Sequence, residues 1–173
     1  MAFDLARSRQ ILERTPAVLR ALLTDLDDTW ITTDYGPKTW SPFDVVGHLV
    51  HGEKADWIDR ARIILAEGPD RPFDPFDRFA QERDSVGKTI DDLLQELATL
   101  RAENLRTLDG FGLTTADLDR PGTHPALGPV TLGQLLATWT AHDLHHIAQI
   151  CKCMARHHTN AAGPWRAYVS ILG

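Results

Sequence analysis

Residues 131–154 constrain the fold of this chain more than any other stretch, and they read TLGQLLATWTAHDLHHIAQICKCM. Thr131 and Gln134 have the spacing of a capping box, in which each side chain satisfies a free backbone N–H at the start of a helix. The apolar residues beyond this start recur at helical spacing. They are Leu132, Leu135, Leu136, Trp139, Ile147, Ile150 and Met154. The stretch therefore predicts one long amphipathic helix with a buried stripe.

This helix carries three histidines close together. On a wheel of roughly 100° per residue, His142 and His146 lie at the edge of the apolar stripe, whereas His145 points toward solvent. Two imidazoles four residues apart lie one turn above each other and can reach one cation. The spacing is one that metal ligands have, although on its own such a pair is more often a surface pair or a hydrogen-bonded core pair. Cys151 and Cys153 point to nearly opposite sides, so we predict neither a disulfide nor joint ligation.

A second long helix is predicted from residue 42 to about residue 67. Ser41 supplies an N-cap and Pro42 the first helical position, and a Gly-Pro pair ends the pattern. His48 lies at the edge of the apolar stripe of this helix, as His142 does on the other. The two helices therefore present three inward-facing imidazoles.

Two carboxylates of the second helix also face the predicted core. Glu53 and Asp56 fall on the apolar side of the wheel, whereas His51 is expected in solvent. Buried acids need partners, so both carboxylates either pair with arginines of a neighbouring helix or act at the site, by orienting ligands or moving a proton. The sequence leaves both alternatives open.

Two further segments carry apolar residues at helical spacing, residues 5–28 and residues 88–108. Pro16 follows Thr15 within the first, so we expect a kink or a break there. The charges of the other segment are expected to form a solvated face. Because no segment shows strand-like alternation with hairpin turns, the prediction is an all-α four-helix bundle forming a single domain of residues 1–173.

Long connections join these helices. Residues 68–84 combine prolines and phenylalanines with charges, which favours an ordered irregular loop able to roof a pocket. Residues 111–130 are predicted to form a loop with one helical turn. A short helix over residues 165–171 should pack back on the bundle.

Charge and length exclude several classes of function. The net charge is −6 and no run is rich in Lys or Arg, which argues against nucleic acid and anionic membranes as partners. No stretch approaches 18 consecutive apolar residues, and the first ten residues lack the apolar core of a signal peptide, so we expect a cytoplasmic protein. A chain of 173 residues buries near 70% of its unfolded surface, so any metal would be functional rather than needed for folding.

Two stretches resemble a known family. Residues 40–53, WSPFDVVGHLVHGE, and residues 131–150, TLGQLLATWTAHDLHHIAQI, are similar to the two signature helices of the DinB-like superfamily. The resemblance implies a four-helix bundle of the up-down-down-up type with long connecting loops, commonly dimeric. It also implies a divalent metal bound by His48, His142 and His146, the residues that the wheels turn inward.

The resemblance implies chemistry at an open metal position. Three histidine ligands are typical of a catalytic site, since structural zinc sites normally have four protein ligands. Zinc or nickel is expected, and it would activate a low-molecular-weight thiol or a water, with Asp56 or Glu53 as catalytic carboxylates. The expected function is a thiol-dependent transferase or isomerase, or a hydrolase, acting on a small molecule. The alternative is a non-catalytic metal- or ligand-binding stress protein, and in both cases we expect a homodimer.

Overall fold

Four long helical stretches form a bundle in the computed structural model, which describes residues 3–172. The helices in chain order are α1 (Leu5–Leu23), α2 (Asp28–Thr32), α3 (Pro42–Ala55), α4 (Trp57–Ala66), α5 (Gln81–Asp84), α6 (Ile90–Gly110) and α7 (Leu132–Arg156). Short 3₁₀ segments occupy Gly68–Asp70, Thr115–Asp119, Gly163–Tyr168 and Ser170–Leu172. The last two replace the short C-terminal helix predicted over residues 165–171. Within the described residues no helix is long and apolar enough to cross a membrane.

Side-chain caps set where the long helices begin. The Ser41 hydroxyl accepts from the backbone N–H of Asp44, whose carboxylate accepts from the Ser41 backbone N–H. Thr131 and Gln134 form the same reciprocal pair at the start of α7. Each pair satisfies backbone donors that the first helical turn leaves free. The predicted starts of α3 and α7 are confirmed.

The bundle contains two apolar clusters, one toward each end. The first includes residues from α1, α4, α6 and α7, among them Leu12, Trp57, Leu105 and Trp139. The second is built from the other halves of α1, α6 and α7 together with α3. Its buried members include Leu19, Leu23, Val45, Leu49, Leu93, Leu97 and Ile150. Between the clusters lies a layer of buried polar side chains, which holds the site.

The same two clusters show the direction of each helix. Along α1 and α7 the chain runs from the first cluster to the second, and along α3–α4 and α6 it runs the opposite way. The order is therefore up-down-down-up, as predicted. Neighbours in sequence that run the same way, α3–α4 and α6, need a long connection, which residues 67–89 provide.

Proline 16 does not break the first helix. Because proline has no N–H, the carbonyl of Leu12 loses its donor within α1. The Arg101 guanidinium of α6 donates to that carbonyl over 2.7 Å and takes the place of the missing N–H. The helix runs continuously from Leu5 to Leu23, so the predicted break is wrong, whereas the predicted kink stays a prediction.

The second predicted helix is divided in two. Asp56 has φ −123° and ψ −79°, outside the helical region, and separates α3 from α4. Its N–H still donates to Gly52 and its carbonyl still accepts from Arg60, so the chain keeps its course through the distortion. Neither proline nor glycine stands at this point, which is why a continuous helix was expected.

A short hairpin corrects the expectation that no strands occur. Strands β1 (Pro121–His124) and β2 (Gly128–Thr131) pair antiparallel. Gly122 is required, because a Cβ there would lie 2.6 Å from Cγ1 of Ile64 on α4. Most of the proline and glycine residues that predicted a loop therefore lie within the strands themselves, and one of them, Gly122, permits close packing on the bundle.

Candidate metal centre

Three imidazoles converge in the polar layer, and we call His48, His142 and His146 the triad. The Nε2 atom of His142 lies 3.2 Å from Nε2 of His48 on α3 and 3.1 Å from Nε2 of His146 one turn further along α7. All three candidate ligand atoms lie within 4.8 Å of one another. Two imidazole nitrogens that share a tetrahedral zinc ion are about 3.4 Å apart, since each Zn–N bond is about 2.0–2.1 Å. The spacing therefore fits a single cation.

Hydrogen bonding alone does not account for this convergence. His146 Nδ1 lies 2.8 Å from Oε1 of Gln149 and donates its proton there, which leaves the lone pair on Nε2. His142 Nε2 carries at most one hydrogen, so only one of its two close contacts can be a linear hydrogen bond. A cation at the point of convergence satisfies all three nitrogens at once. The donor set therefore fits a divalent metal.

Burial keeps the triad neutral. The pKa of His48 falls to about 4 and the pKa of His142 to about 2, because a charged ring loses its hydration inside the protein and because His146 repels a second charge. Burial likewise lowers the pKa of His146 to about 4, against the opposing hydrogen bond to Gln149. All three rings are neutral at pH 7, the state in which imidazole binds a metal.

An open cavity of about 690 Å³ lies against the triad. Its apolar walls come from the segment before α3, from α4, α7 and the hairpin, and from the connection after α4. They include Trp40, Trp57, Phe73, Phe76, Leu127, Val130 and Leu135. Phe76 stacks edge-on to His48 with ring centroids 5.8 Å apart. The phenylalanine-rich connection thus roofs a pocket, as the sequence indicated.

Asp56 lies on the wall of this cavity beside its partner Arg60. The Arg60 Nε atom is 2.7 Å from Oδ1 of Asp56, within an ion pair that is mostly buried. Burial raises the pKa of Asp56 to about 6; Arg60 opposes this rise, and the charge of Glu53 adds to it. A carboxyl group that titrates close to neutral pH can both accept and release a proton.

Glu53 lies away from this cavity, in a second polar group. Its Oε1 accepts from Arg101 over 2.8 Å and from the Trp139 indole over 3.0 Å. Its Oε2 accepts from the amide of Asn104 over 3.0 Å. Arg101 also binds Asp143 in bidentate fashion, over 2.6 and 2.9 Å. We call these five side chains the closed cluster.

Arg101 and Asp143 were missed in the sequence, where Arg101 was counted among the solvated charges of its helix. Arg101 is 1% exposed and Asp143 is fully buried. Although burial alone would lower it, the two carboxylates raise the pKa of Arg101 above its ordinary value. A signal was present: Arg101 stands four residues after Leu97 and four before Leu105, within the apolar stripe of α6.

The remaining histidines of interest lie at the edges. His145 is exposed, as the wheel predicted, and lies at the rim of the cavity. His51 was expected in solvent but is partly covered, because its ring packs 4.8 Å from that of Phe76. His124 also lines the cavity, and its Nδ1 accepts from the backbone N–H groups of Ala126 and Leu127.

The fold and site define a class: a four-helix bundle with an open, three-histidine candidate metal centre between two helices. A family model described as the DinB superfamily matches residues 11–150, and the chain belongs to that superfamily. The resemblance of the two histidine-bearing helices is thereby confirmed.

Similar proteins carry names that propose metal-dependent hydrolysis. YfiT of Bacillus subtilis, named as a proposed metal-dependent hydrolase, is 31% identical over 153 residues, covering 85% of this chain and 82% of YfiT. A Bacillus licheniformis protein with the same type of name is 30% identical over 145 residues, covering 80% of this chain and 78% of its own length.

Two solved structures share the fold. The structure of YfiT, described as having an unusual four-helix bundle topology, matches with a TM-score of 0.73 and 27% identity, covering 88% of this chain and 87% of that one. The four-helix bundle protein TT2238 matches with a TM-score of 0.54 and 20% identity, covering 83% and 95%. The second likeness shows the fold alone.

Proposed function

We propose that this protein is a metal-dependent hydrolase of a small organic molecule, with His48, His142 and His146 as the metal ligands. The observation that carries the proposal is the convergence of three neutral imidazole nitrogens at the wall of an open cavity. The names of YfiT and its Bacillus licheniformis relative support hydrolysis. An enclosed metal with four protein ligands would instead favour a structural role.

We propose zinc or nickel as the ion. An all-imidazole donor set suits zinc and nickel, whereas magnesium and calcium prefer oxygen ligands. Bound there, the ion would supply Lewis acidity that activates water near neutral pH.

The residues around the triad have separate roles in this proposal. Gln149 holds His146 in the tautomer that presents Nε2 to the ion. Asp56 accepts the proton that leaves the attacking water and returns it to the leaving group, since its pKa is about 6. The aromatic walls formed by Trp57 and Phe76 exclude bulk water and hold the apolar part of the substrate. Glu53, whose two oxygens are already bonded, positions the helices instead of moving a proton.

The proposal is tested by hydrolysis of 4-nitrophenyl esters and amino-acid 4-nitroanilides by protein stripped of metal and then reloaded with zinc or nickel. We expect cleavage that depends on metal and is lost in His142→Ala. Asp56→Asn should bind metal normally and lower kcat by about 10²–10⁴, the usual contribution of a proton-transferring group. Equal rates before and after metal removal would reject the metal-dependent mechanism.

A thiol arm of the same assay addresses the other chemistry expected for the superfamily. Cysteine or glutathione is added, and the products are analysed for thiol conjugates by mass spectrometry. A conjugate that forms only with metal would make the protein a thiol transferase. A metal-loaded protein inert in both arms would favour the non-catalytic ligand-binding alternative.

A further inference from the structure

A second cavity adjoins the first and is lined by one member of the triad, His146. Its volume is about 540 Å³, and it shares Trp40, Arg78, His145 and His146 with the first cavity. The two cavities therefore meet at the histidines of α7. A molecule bound at the triad has space in both cavities.

The second cavity is basic. Lys38, Arg78 and Lys152 line it, and no acidic residue does. Within residues 3–172 none of these three cations forms an ion pair or a side-chain hydrogen bond with a carboxylate. The guanidinium of Arg78 lies 5.9 Å from the ring centroid of Trp40, and the Lys152 ammonium lies 6.0 Å from that of Tyr35. In a chain with a net charge of −6, three cations that line one cavity without a carboxylate partner give this cavity a positive field that attracts anions.

The first cavity has the opposite character. Apart from the shared Arg78, its charged residues are Asp56 and Arg60, which pair with each other. Its remaining walls are mostly aromatic and aliphatic. The space around the triad is therefore apolar in the first cavity and cationic in the second.

We propose that the substrate is an amphipathic acid: an apolar group and an anionic group, carboxylate or phosphate, joined through the bond that is cleaved. The apolar group lies in the first cavity, and the anion lies among Lys38, Arg78 and Lys152. Water adds across the bond, so that the acyl carbon gains the hydroxyl and the departing group gains the proton. This inference rests on the proposed function and adds the substrate class to it.

Paired esters test the inference. 4-Nitrophenyl hemisuccinate and neutral 4-nitrophenyl butyrate both yield 4-nitrophenol, together with succinate or butyrate. For the zinc-loaded wild type we expect a KM at least about tenfold lower for the hemisuccinate, because charge-assisted hydrogen bonds to a carboxylate outweigh neutral contacts. The Lys38→Gln/Lys152→Gln variant should lose this preference and keep its metal content. Lys54→Gln/Lys88→Gln is the matched control, since it removes the same charge from a pair that binds Glu96 elsewhere.

A binding measurement separates this inference from the proposed function. Succinate and inorganic phosphate are titrated by calorimetry into the zinc-loaded wild type and both variants. We expect binding that weakens at least about tenfold in Lys38→Gln/Lys152→Gln and is unchanged in the control. The stronger of the two anions identifies the source of the charge. Binding that is absent, or equal in all three proteins, overturns the anion site even if the butyrate ester is hydrolysed. Lysine-dependent binding without hydrolysis of either ester supports the site and counts against the hydrolase.

Discussion

The closed cluster and the triad lie side by side on α3 and α7 yet differ in every respect that matters for function. In the closed cluster each carboxylate oxygen of Glu53 and Asp143 accepts at least one bond, and Arg101 also binds the Leu12 carbonyl. In the triad three imidazole nitrogens converge beside an open cavity, with more close contacts than a single hydrogen bond accounts for. Both are buried polar groups; in the first every carboxylate oxygen has a donor and, of the buried side-chain atoms, only Nε of Arg101 lacks a partner within the described chain, whereas in the second no hydrogen-bonding pattern satisfies all three converging nitrogens.

The difference indicates which polar group holds the fold and which one binds a ligand. Saturated buried charges cost little once made, and they are strongly destabilising when one partner is removed. Buried polar atoms that converge without enough hydrogen-bond partners destabilise the folded state, and a ligand that binds all of them stabilises it. Damage to the closed cluster should therefore affect unfolding, whereas damage to the triad should affect metal binding.

The largest expected effect is the loss of metal. Replacing His48, His142 or His146 by Ala should reduce the bound metal from about one ion per chain to almost none, since two imidazoles hold a cation far less tightly than three. His145→Ala and His51→Ala are the controls and should retain it. Elemental analysis of purified protein measures the content. An empty site in His145→Ala with a full site in His146→Ala would reverse the assignment.

Arg101→Met should cause the next largest effect, on stability. It leaves Glu53 and Asp143 buried without their cation, which costs about 3–5 kcal/mol of unfolding free energy. Arg106→Met changes an exposed arginine on the same helix and should stay within about 0.5 kcal/mol of wild type. Urea unfolding of the metal-free proteins provides both values. Similar losses for both variants would mean that the closed cluster is not what holds the helices.

Gln149→Leu should weaken metal binding by about 10–100-fold, because His146 then loses the acceptor that fixes its tautomer. Gln149→Glu keeps an acceptor and should restore most of the affinity. Competition with a zinc chelator measures both constants. Equal weakening in the two variants would show that Gln149 acts through packing instead.

The buried histidines should make the stability of the metal-free protein depend on pH. The pKa values of the triad, about 4, 2 and 4, lie below the unfolded value of about 6.5. Between pH 6.5 and 4 the unfolded chain therefore binds more protons than the folded one, and stability falls as the pH falls. Asp56 partly offsets this, because its folded pKa of about 6 lies above its unfolded value of 3.8 and favours the folded state on acidification.

Bound metal makes the folding stability fall further as the pH falls. Protons compete with the ion for all three imidazoles, so acid should release it below about pH 6. The thermal advantage of the metal-bound form should therefore shrink in that range, while the apo fold remains. Calorimetry of both forms from pH 8 to 5 measures the gap. Two parallel curves would mean that these histidines are not the ligands.

The last prediction concerns the oligomeric state. We propose that the protein is a homodimer, as the superfamily resemblance implies. Static light scattering over a range of concentrations should give about twice the chain mass of 19.3 kDa. A constant mass of a single chain would reject the dimer.

The starts of α3 and α7 and the inward direction of the three histidines follow from local rules, whereas the meeting of the three at one point was implied by the superfamily resemblance. A capping box and a 3.6-residue period fix which face of α7 is buried, and with it the direction of His142 and His146. Asp143 shows what local patterns cannot predict, because the role of a charged residue on an apolar face depends on its partner. Its partner Arg101 lies 42 residues away, and only the packing of α6 against α7 brings them together.

The hairpin and the distortion at Asp56 could not be predicted for a related reason. The strands are four residues each, and their glycine and proline content is that of a loop. Their pairing depends on a surface, formed by Ile64 and Phe73, that Gly122 allows the backbone to approach. The sequence of the strands themselves does not predict that surface, because Ile64 and Phe73 lie far away along the chain.

The roof of the first cavity is built separately from its floor. The metal-binding candidates stand on α3 and α7, whereas Phe73 and Phe76 belong to a connection tied to the hairpin. The Phe73 N–H donates to the Thr123 carbonyl over 3.0 Å, and the Thr123 hydroxyl donates to the Pro69 carbonyl over 2.8 Å. Mutations in these two connections can therefore accumulate during divergence and change which molecules are accepted, while the candidate metal centre stays the same. Among relatives, selectivity should vary with the roof, and the reaction type with the helices.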